Sequence, residues 1–147
     1  MSRPRLIIVG RHYSIEPLGI LHLLGLAERV GWEAKPFLVQ DFDFQPLYDE
    51  VEAFRPDLVG FSIWTGYHRQ AFAAADVLRR AGVKVVIGGP HATYFADECA
   101  KHADWVIKGE AFRFFRRLLQ GDLPQGVQHD PVRVAEGFPV PSRRLLY

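Results

Sequence analysis

The stretch VKVVIGGPHATYFADE, residues 83–98, ends a run of β-branched residues in two glycines, a proline and a histidine. Gly88 and Gly89 have no Cβ, so a ligand could press against the backbone at the end of this strand. His91 and Thr93 follow directly and add a ring nitrogen and a hydroxyl to the same loop. The pattern favours a site for a bulky ligand that enters close to the backbone.

Several common sites are excluded because their motifs are missing. The loop after the first apolar run reads GRHYSIEPLG, which lacks the G-x-G-x-x-G of dinucleotide-binding folds, and the chain has no G-K-[ST] triplet of a phosphate-binding loop. No Ser–x–Gly nucleophile elbow follows a strand, and no zinc pattern of two histidines four apart or of H-x-E occurs. A response-regulator receiver is excluded as well, since Arg11 and His12 stand where its acidic pair would be.

Strands and helices are predicted to alternate along the chain. Apolar runs predict strands at 5–10, 57–63, 83–89 and 104–109, and a weaker one at 33–40. Helical spacing predicts helices at about 17–31, 46–54, 69–81, 94–102 and 110–121. This alternation indicates an α/β fold: a Rossmann-like (flavodoxin-like) five-stranded parallel sheet with helices on both faces.

In such a sheet the ligand sits beyond the carboxyl ends of the strands. The loops expected there are rich in Gly, Ser, Thr and His, and they are 11–16, 62–68, 88–93 and 108–110. The opposite loops are ordinary charged turns. The candidate site is therefore placed at the carboxyl edge of the sheet.

Residues 122–147 contain four prolines and little periodicity. We therefore predict a domain over 1–121 and a Pro-rich tail or linker over 122–147.

The net charge of +1 predicts neither nucleic acid nor membrane as a partner. No signal peptide and no membrane-length apolar run are found, which favours the cytoplasm. The single cysteine, Cys99, excludes an internal disulfide and a cysteine-ligated iron–sulfur cluster within this chain.

Five stretches together resemble the cobalamin (B12)-binding domain of the B12-dependent radical S-adenosylmethionine enzymes. They are EPLGILHLLGLAERVGWE, RPDLVGFSIWT, VVIGGPHATYFADE, ADWVIKGEAFRFFRRLL and FPVPSRRLLY. The resemblance implies cobalamin as the cofactor and a radical S-adenosylmethionine catalytic domain as the partner, in the same chain or in another. It implies that this domain presents cobalamin, chiefly for methyl transfer, and carries no catalytic residue of its own.

In that family the nucleotide tail of cobalamin lies between sheet and helices, and the corrin rests on the strand-end loops. By resemblance, Gly88, Gly89 and Pro90 would let the tail pass the fourth strand, with His91 and Thr93 beside it. The remaining contacts implied are the hydroxyls of Ser62 and Thr65, Gly109 and Glu110 on the far side, and Leu18 and Gly19 in the first loop.

The mutase and methionine-synthase type of B12 domain takes a cobalt ligand from a D-x-H-x-x-G motif, which this chain lacks. The nearest match, ILHLLG, has Ile20 in place of the aspartate and lies within a predicted helix. We therefore expect cobalamin bound with its own base displaced and with no histidine–cobalt bond. His12 is the loop histidine that could reverse this expectation.

Two alternatives use the same fold. A flavin-binding or nucleotide-binding α/β domain would use the same strand-end cleft, but the chain has no acidic residue suited to a ribose and no Ser/Thr-rich phosphate loop. A module with an empty cleft, kept for protein contact alone, is disfavoured by the retained GGPHAT.

Overall fold

The apolar runs form one parallel sheet in this structure, a computed structural model that describes residues 2–11, 18–109, 111–130 and 142. Its strands are β1 (Arg5–Arg11), β2 (Glu33–Val39), β3 (Leu58–Ser62), β4 (Lys84–Gly88), β5 (Trp105–Gly109) and β6 (Gly126–Asp130). The helices are α1 (Leu18–Arg29), α2 (Gln45–Phe54), α3 (His68–Arg80), α4 (Pro90–Tyr94), α5 (Ala96–Cys99) and α6 (Phe112–Leu119). No helix among the described residues is both long and apolar enough to cross a membrane.

The sheet has the order β2-β1-β3-β4-β5-β6, and every pairing in it is parallel. The predicted α/β fold with helices on both faces is thereby confirmed. The chain steps from β1 outward to β2 and then returns to place β3 on the other side of β1. The strand order thus reverses beside β1, which is where open α/β sheets bind ligands.

Helices cover both faces of the sheet. Along β1, Leu6 and Ile8 pack in the core that α1 and α6 cover, whereas Ile7 and Val9 pack in the core beneath α2 to α5. Alternate residues of a strand point to opposite faces, so a strand buried on both sides must be apolar throughout. The unbroken apolar run of β1 follows from this position.

The sheet contains a sixth strand that the sequence prediction missed. β6 continues the sheet beyond β5, with register from Trp105↔Gly126 to Gly109↔Asp130. The prediction of five strands, with only a tail from residue 122 onward, is wrong for these residues. As the edge strand, β6 needs no apolar run, and its Val127 is 40% exposed. The assignment of the later residues to a linker stays a prediction, although the Ser142 amide donates to the Leu21 carbonyl of α1 at 3.0 Å.

The helix predicted over 94–102 begins earlier and is broken. Pro90 occupies the first position of α4, where a proline's fixed φ suits a helix and its missing N–H costs nothing. At Phe95 the backbone leaves the helical region (φ −130°, ψ 45°), and α5 resumes at Ala96. The glycine pair is therefore followed at once by a short helix, which holds His91 against the end of β4.

Cys99, at the end of α5, is fully buried in the core under α2 to α5. Desolvation by burial raises the pKa of its thiol to about 12, against about 8.5 for a free cysteine. At pH 8 the folded chain should therefore react with a thiol reagent such as DTNB more than about 100-fold slower than the chain in guanidinium chloride. Equal rates would contradict the burial.

Because the thiol ionises at lower pH in the unfolded chain than in the folded chain, the free energy of unfolding should also fall as pH rises above about 8.5, up to the folded pKa.

Candidate functional site

The carboxyl ends of β3 and β4 are joined by backbone hydrogen bonds. The Ile63 amide donates to the Gly88 carbonyl at 3.0 Å, and the His91 amide donates to the Ile63 carbonyl at 2.9 Å. Ser62 and Gly88 pair across the two strands. The structure thus brings together the predicted residues of the SIWT and GGPH segments at one edge of the sheet.

Gly89 is required by the fold itself. Its φ of +98° and ψ of −179° lie in a region that essentially only glycine adopts. A Cβ at this position would lie 2.7 Å from the Ile63 nitrogen and 2.9 Å from its oxygen. The space left by the missing side chain is therefore filled by this chain's own backbone, and its interpretation as room for a ligand is wrong at Gly89. Whether Gly89 also contacts the cofactor stays a prediction.

Gly88 lies in a different environment. Val85 and Ile87 pack under α2 to α5, so the alternation of the strand turns position 88 toward the face that α1 and α6 cover. Among the described residues, the one atom within 4 Å of a Cβ built there is the Ile107 carbonyl oxygen, at 3.6 Å. No described helix side chain therefore fills the space above Gly88.

Two further small residues lie on the same face of the sheet as Gly88. We call the three the small-residue row: Gly60, Ser62 and Gly88. By the same alternation, Gly60 and Ser62 of β3 turn toward α1 and α6. The atoms nearest to a Cβ at Gly60 belong to the neighbouring strands, not to a helix. Over β1 the equivalent space at Gly10 is taken by the side chain of Ile20 from α1. Among the described residues, a Cβ at Gly88 would thus meet no helix side chain within 4 Å, whereas one at Gly10 of β1 would meet Ile20 of α1.

Thr93 ties α4 to the ends of two strands. Its hydroxyl donates to the Gly89 carbonyl at 3.3 Å and accepts from the Gly109 amide at 3.3 Å. Gly109, at the end of β5, has a φ of +89°. Both residues are predicted cofactor contacts, and the structure gives them a role in holding the loops together.

The other predicted contacts lie at the rim or beyond the described residues. Gly19 is exposed at the start of α1, and Pro90 is exposed at the start of α4. Glu110, the side chain of Leu18 and the loop histidine His12 lie outside the described residues.

His91 is buried, with 3% of its surface exposed, and both of its ring nitrogens have partners. Nδ1 lies 2.8 Å from the Thr65 hydroxyl, and Nε2 lies 3.1 Å from Oε1 of Glu98. The hydrogen bond with His91 lowers the pKa of the Glu98 carboxyl below its ordinary value. The hydroxyl of Thr65, a residue predicted to contact the cofactor tail, is thus hydrogen-bonded to His91.

Sequence reasoning missed that His68 belongs to this group. Its ring stacks on that of His91 with centroids 4.2 Å apart and planes 15° apart, and Phe95 stacks on the other face at 4.7 Å. We name His68, His91 and Glu98 the His–His–Glu cluster. Only the strand order could have predicted that His68 lies beside His91. Since β3 and β4 are neighbours, residues that follow their carboxyl ends lie close together.

A surface cavity among the described residues lies elsewhere. A depression of about 390 Å³ at the amino end of β4 is lined by Asp76, Arg79, Arg80, Gly82, Val83, Lys84 and Asp104. It is at the opposite end of the strand from Gly88. Parallel α/β sheets bind their ligands at the carboxyl end, so position in the fold is a better guide here than cavity volume.

Residues 4–119 match the B12 binding domain family. The chain belongs to this family. Cobalamin is therefore its cofactor, as the sequence resemblance implied. The small-residue row suits that cofactor, because glycine and serine take up little space beside the strands where a buried nucleotide tail would need room.

Two methyltransferases are similar to parts of this B12-binding domain. Bacteriochlorophyllide d C-8(2)-methyltransferase of Chlorobaculum tepidum is 38% identical over 63 residues, which are 43% of this chain and 14% of that protein. The uncharacterized methyltransferase PH0819 of Pyrococcus horikoshii is 28% identical over 109 residues, 70% of this chain and 24% of that protein. The chain thus spans a quarter or less of the length of these relatives.

Solved structures share the fold. A novel cobalamin-binding protein from Desulfitobacterium hafniense DCB-2 superposes with a TM-score of 0.66 at 21% identity, covering 82% of this chain and 59% of that chain. The N-terminal domain of the hypothetical protein TM0182 from Thermotoga maritima gives 0.61 at 17% identity, covering 81% and 97%. At these identities the likeness supports the architecture of the B12-binding domain and not its contacts.

Proposed function

We propose that this domain binds cobalamin with the lower base displaced and presents it to a radical S-adenosylmethionine catalytic domain for methyl transfer. The observation that carries the proposal is the small-residue row within a B12-binding domain, where no described helix side chain lies within 4 Å of a Cβ built at Gly60 or Gly88. The nucleotide tail would lie along this row, and the corrin would rest on the loops beyond it. When bound, cobalamin supplies cobalt that carries a methyl group; the protein positions it.

Individual residues take distinct parts in this proposal. Gly88 gives the tail access to the backbone of β4, and the Ser62 hydroxyl lies next to it, where it can donate to the tail. Thr93 and Gly109 keep the loops after β4 and β5 at a fixed spacing through their hydrogen bond. Gly89 holds the turn out of β4 against Ile63. Binding and orientation therefore come from β3 and β4 and the turns that follow them.

The surroundings of the described histidines support a cobalt without a histidine ligand. His91 and His68 stack on each other beside Phe72, whose core lies under α2 to α5, whereas the small-residue row faces α1 and α6. His22 is half-buried in α1, with its ring centroid 5.7 Å from that of Phe112. None of the three stands in a D-x-H-x-x-G motif.

The proposed partner rests on the relatives and on the sequence. Both similar proteins are named as methyltransferases, and each is several times longer than the matching segment. Catalytic residues of such a protein would lie outside this domain. The radical S-adenosylmethionine class comes from the resemblance of the five sequence stretches, including the exit segment FPVPSRRLLY.

A titration with hydroxocobalamin tests this proposal. The chain is mixed with increasing cobalamin and passed through gel filtration, and about one equivalent is expected to elute with the protein. The bound cofactor is then reduced to cob(II)alamin for electron paramagnetic resonance. The cobalt signal should lack the threefold splitting that a lower nitrogen ligand produces, because neither the base nor a histidine occupies that position.

Each other outcome has a distinct meaning. A colourless protein peak at high cobalamin would contradict cofactor binding by this chain. A threefold splitting would contradict the displaced base with no histidine. The variant His12→Ala would then separate the two sources, since the splitting is lost if His12 is the ligand and retained if the base of cobalamin itself is the ligand.

A further inference from the structure

We propose that the His–His–Glu cluster binds a divalent transition-metal ion, with zinc as its best-suited occupant, separate from the cobalt of the cofactor. One ligand atom from each of His68, His91 and Glu98 lies within 4.8 Å of the other two. The three residues come from α3, α4 and α5, so the ion would join three helices.

The donor set matches that ion. Two imidazoles and one carboxylate are ligands that zinc accepts, leaving a fourth position for water. With zinc–ligand distances of about 2.0–2.2 Å, ligand atoms in a tetrahedral site stand roughly 3.3 Å apart. His91 Nε2 and Glu98 Oε1 are already 3.1 Å apart. To bring its ligand atom to this distance from the other two, the side chain of His68 in the first turn of α3 would have to move.

His91 is the fixed member of the cluster. Its ring is 3% exposed and stacks on that of Phe95, with centroids 4.7 Å apart. In the metal-free chain Nε2–H donates to Glu98, and Nδ1 lies 2.8 Å from the Thr65 hydroxyl. On metal binding the ring would take the other tautomer, with Nδ1–H donating to the Thr65 hydroxyl and Nε2 bound to the ion. An outer hydrogen bond of this kind sets the tautomer and orientation of a metal-binding histidine.

The other two ligands are free to adjust. The side chain of Glu98 is 46% exposed. Nδ1 of His68 accepts a hydrogen bond from the Gly66 amide at 3.2 Å, and metal binding at either nitrogen would release that amide. Gly66 is exposed, so water can replace the lost bond. Two adjustable ligands can therefore close on one fixed ligand, with His68 leaving its stacked position on the His91 ring.

An ion at this position would stabilise the weakest part of the helical layer. α4 has 5 residues and α5 has 4, lengths that do not sustain a helix by themselves. His91 packs against Phe72 of α3, whose core lies under α2 to α5, whereas the small-residue row faces α1 and α6. The ion and the cofactor would thus occupy different faces of the sheet.

Zinc binding to the full chain, stripped with EDTA and dialysed, tests the proposal without any cobalamin. Isothermal titration with zinc chloride should give about one equivalent, and thermal unfolding should shift upward with zinc. Thr65→Val, which removes the outer hydrogen bond, should weaken zinc binding about 10–100-fold. Glu98→Gln and His68→Ala each remove a ligand and should weaken it further.

His102→Ala is the matched control, because His102 also lies against a carboxylate, with Nδ1 2.9 Å from Asp76 Oδ1, but outside the cluster. Zinc affinity should be unchanged in it. The proposal is overturned if zinc does not bind saturably, or if Glu98→Gln and His68→Ala bind it as tightly as the parent chain. Glu98 is a surface residue, so its variant keeps the test valid if His68→Ala fails to fold. Cobalamin binding is measured separately, so either proposal can fail alone.

Discussion

Replacing Gly89 with alanine is expected to destabilise the fold by about 3 kcal/mol, the larger part from steric overlap. The added Cβ would lie 2.7 Å from the nitrogen and 2.9 Å from the oxygen of Ile63. Both atoms belong to backbone that is hydrogen-bonded to Gly88 and His91, so they cannot move aside independently. Urea denaturation followed by circular dichroism would measure the loss.

Gly82→Ala is the control for the backbone conformation alone. Gly82 has a φ of +88°, close to that of Gly89, but nothing lies within 4 Å of a Cβ built there. Its alanine variant should therefore lose only about 1 kcal/mol, the strain of a positive φ without a steric neighbour. Equal losses in the two variants would show that the contact with Ile63 is not what requires glycine at 89.

Replacing Gly88 with leucine is expected to weaken cobalamin binding about 10–100-fold while the fold is kept. The Cβ itself is accommodated, since its one described neighbour within 4 Å is the Ile107 oxygen at 3.6 Å. The rest of the side chain would project into the space assigned to the nucleotide tail. Steric overlap of this kind typically costs about 1–3 kcal/mol, which corresponds to that loss of affinity. Equilibrium dialysis against hydroxocobalamin measures the affinity.

Ala73→Leu, on the exposed side of α3, adds the same side chain away from the proposed slot. Cobalamin affinity should not change in it, and both variants should keep the circular dichroism spectrum of the parent chain. If Gly88→Leu binds cobalamin like the parent chain, the tail does not pass over β4. If it loses its fold instead, Gly88→Ala tests the same position with a smaller group and a smaller expected effect.

The sequence predicted those parts of the fold that depend on burial along a single strand or helix. β1, β3, β4 and β5 are buried runs, and the length of each run matched a strand. β6 was missed because an edge strand that leaves Val127 exposed has no such run. The break at Phe95 was missed for a related reason, since the apolar spacing continues through a residue whose backbone is not helical.

The sequence placed the candidate site at the carboxyl edge of the sheet, and two contacts that the structure shows there could not be predicted. The glycine at position 89 was interpreted as leaving room for a ligand, whereas the close approach of the Ile63 backbone explains why glycine is required there. His68 and His91 are distant in sequence and meet only because β3 pairs with β4. Contacts that cross between strands require the sheet order, which no local pattern contains.

The sheet order also determines when the chain can begin to fold during synthesis. β1 is made first, yet it lies inside the sheet and needs β3, whose Leu58 pairs with its Leu6. Until the ribosome has released β3, one edge of β1 has no partner and its apolar side chains remain open to solvent. Parallel pairings of this kind require closure of long loops before any contact compensates for them. The nascent chain therefore carries the apolar run of β1 without one of its partner strands until β3 has been made, and the run is protected only when the central strands assemble together.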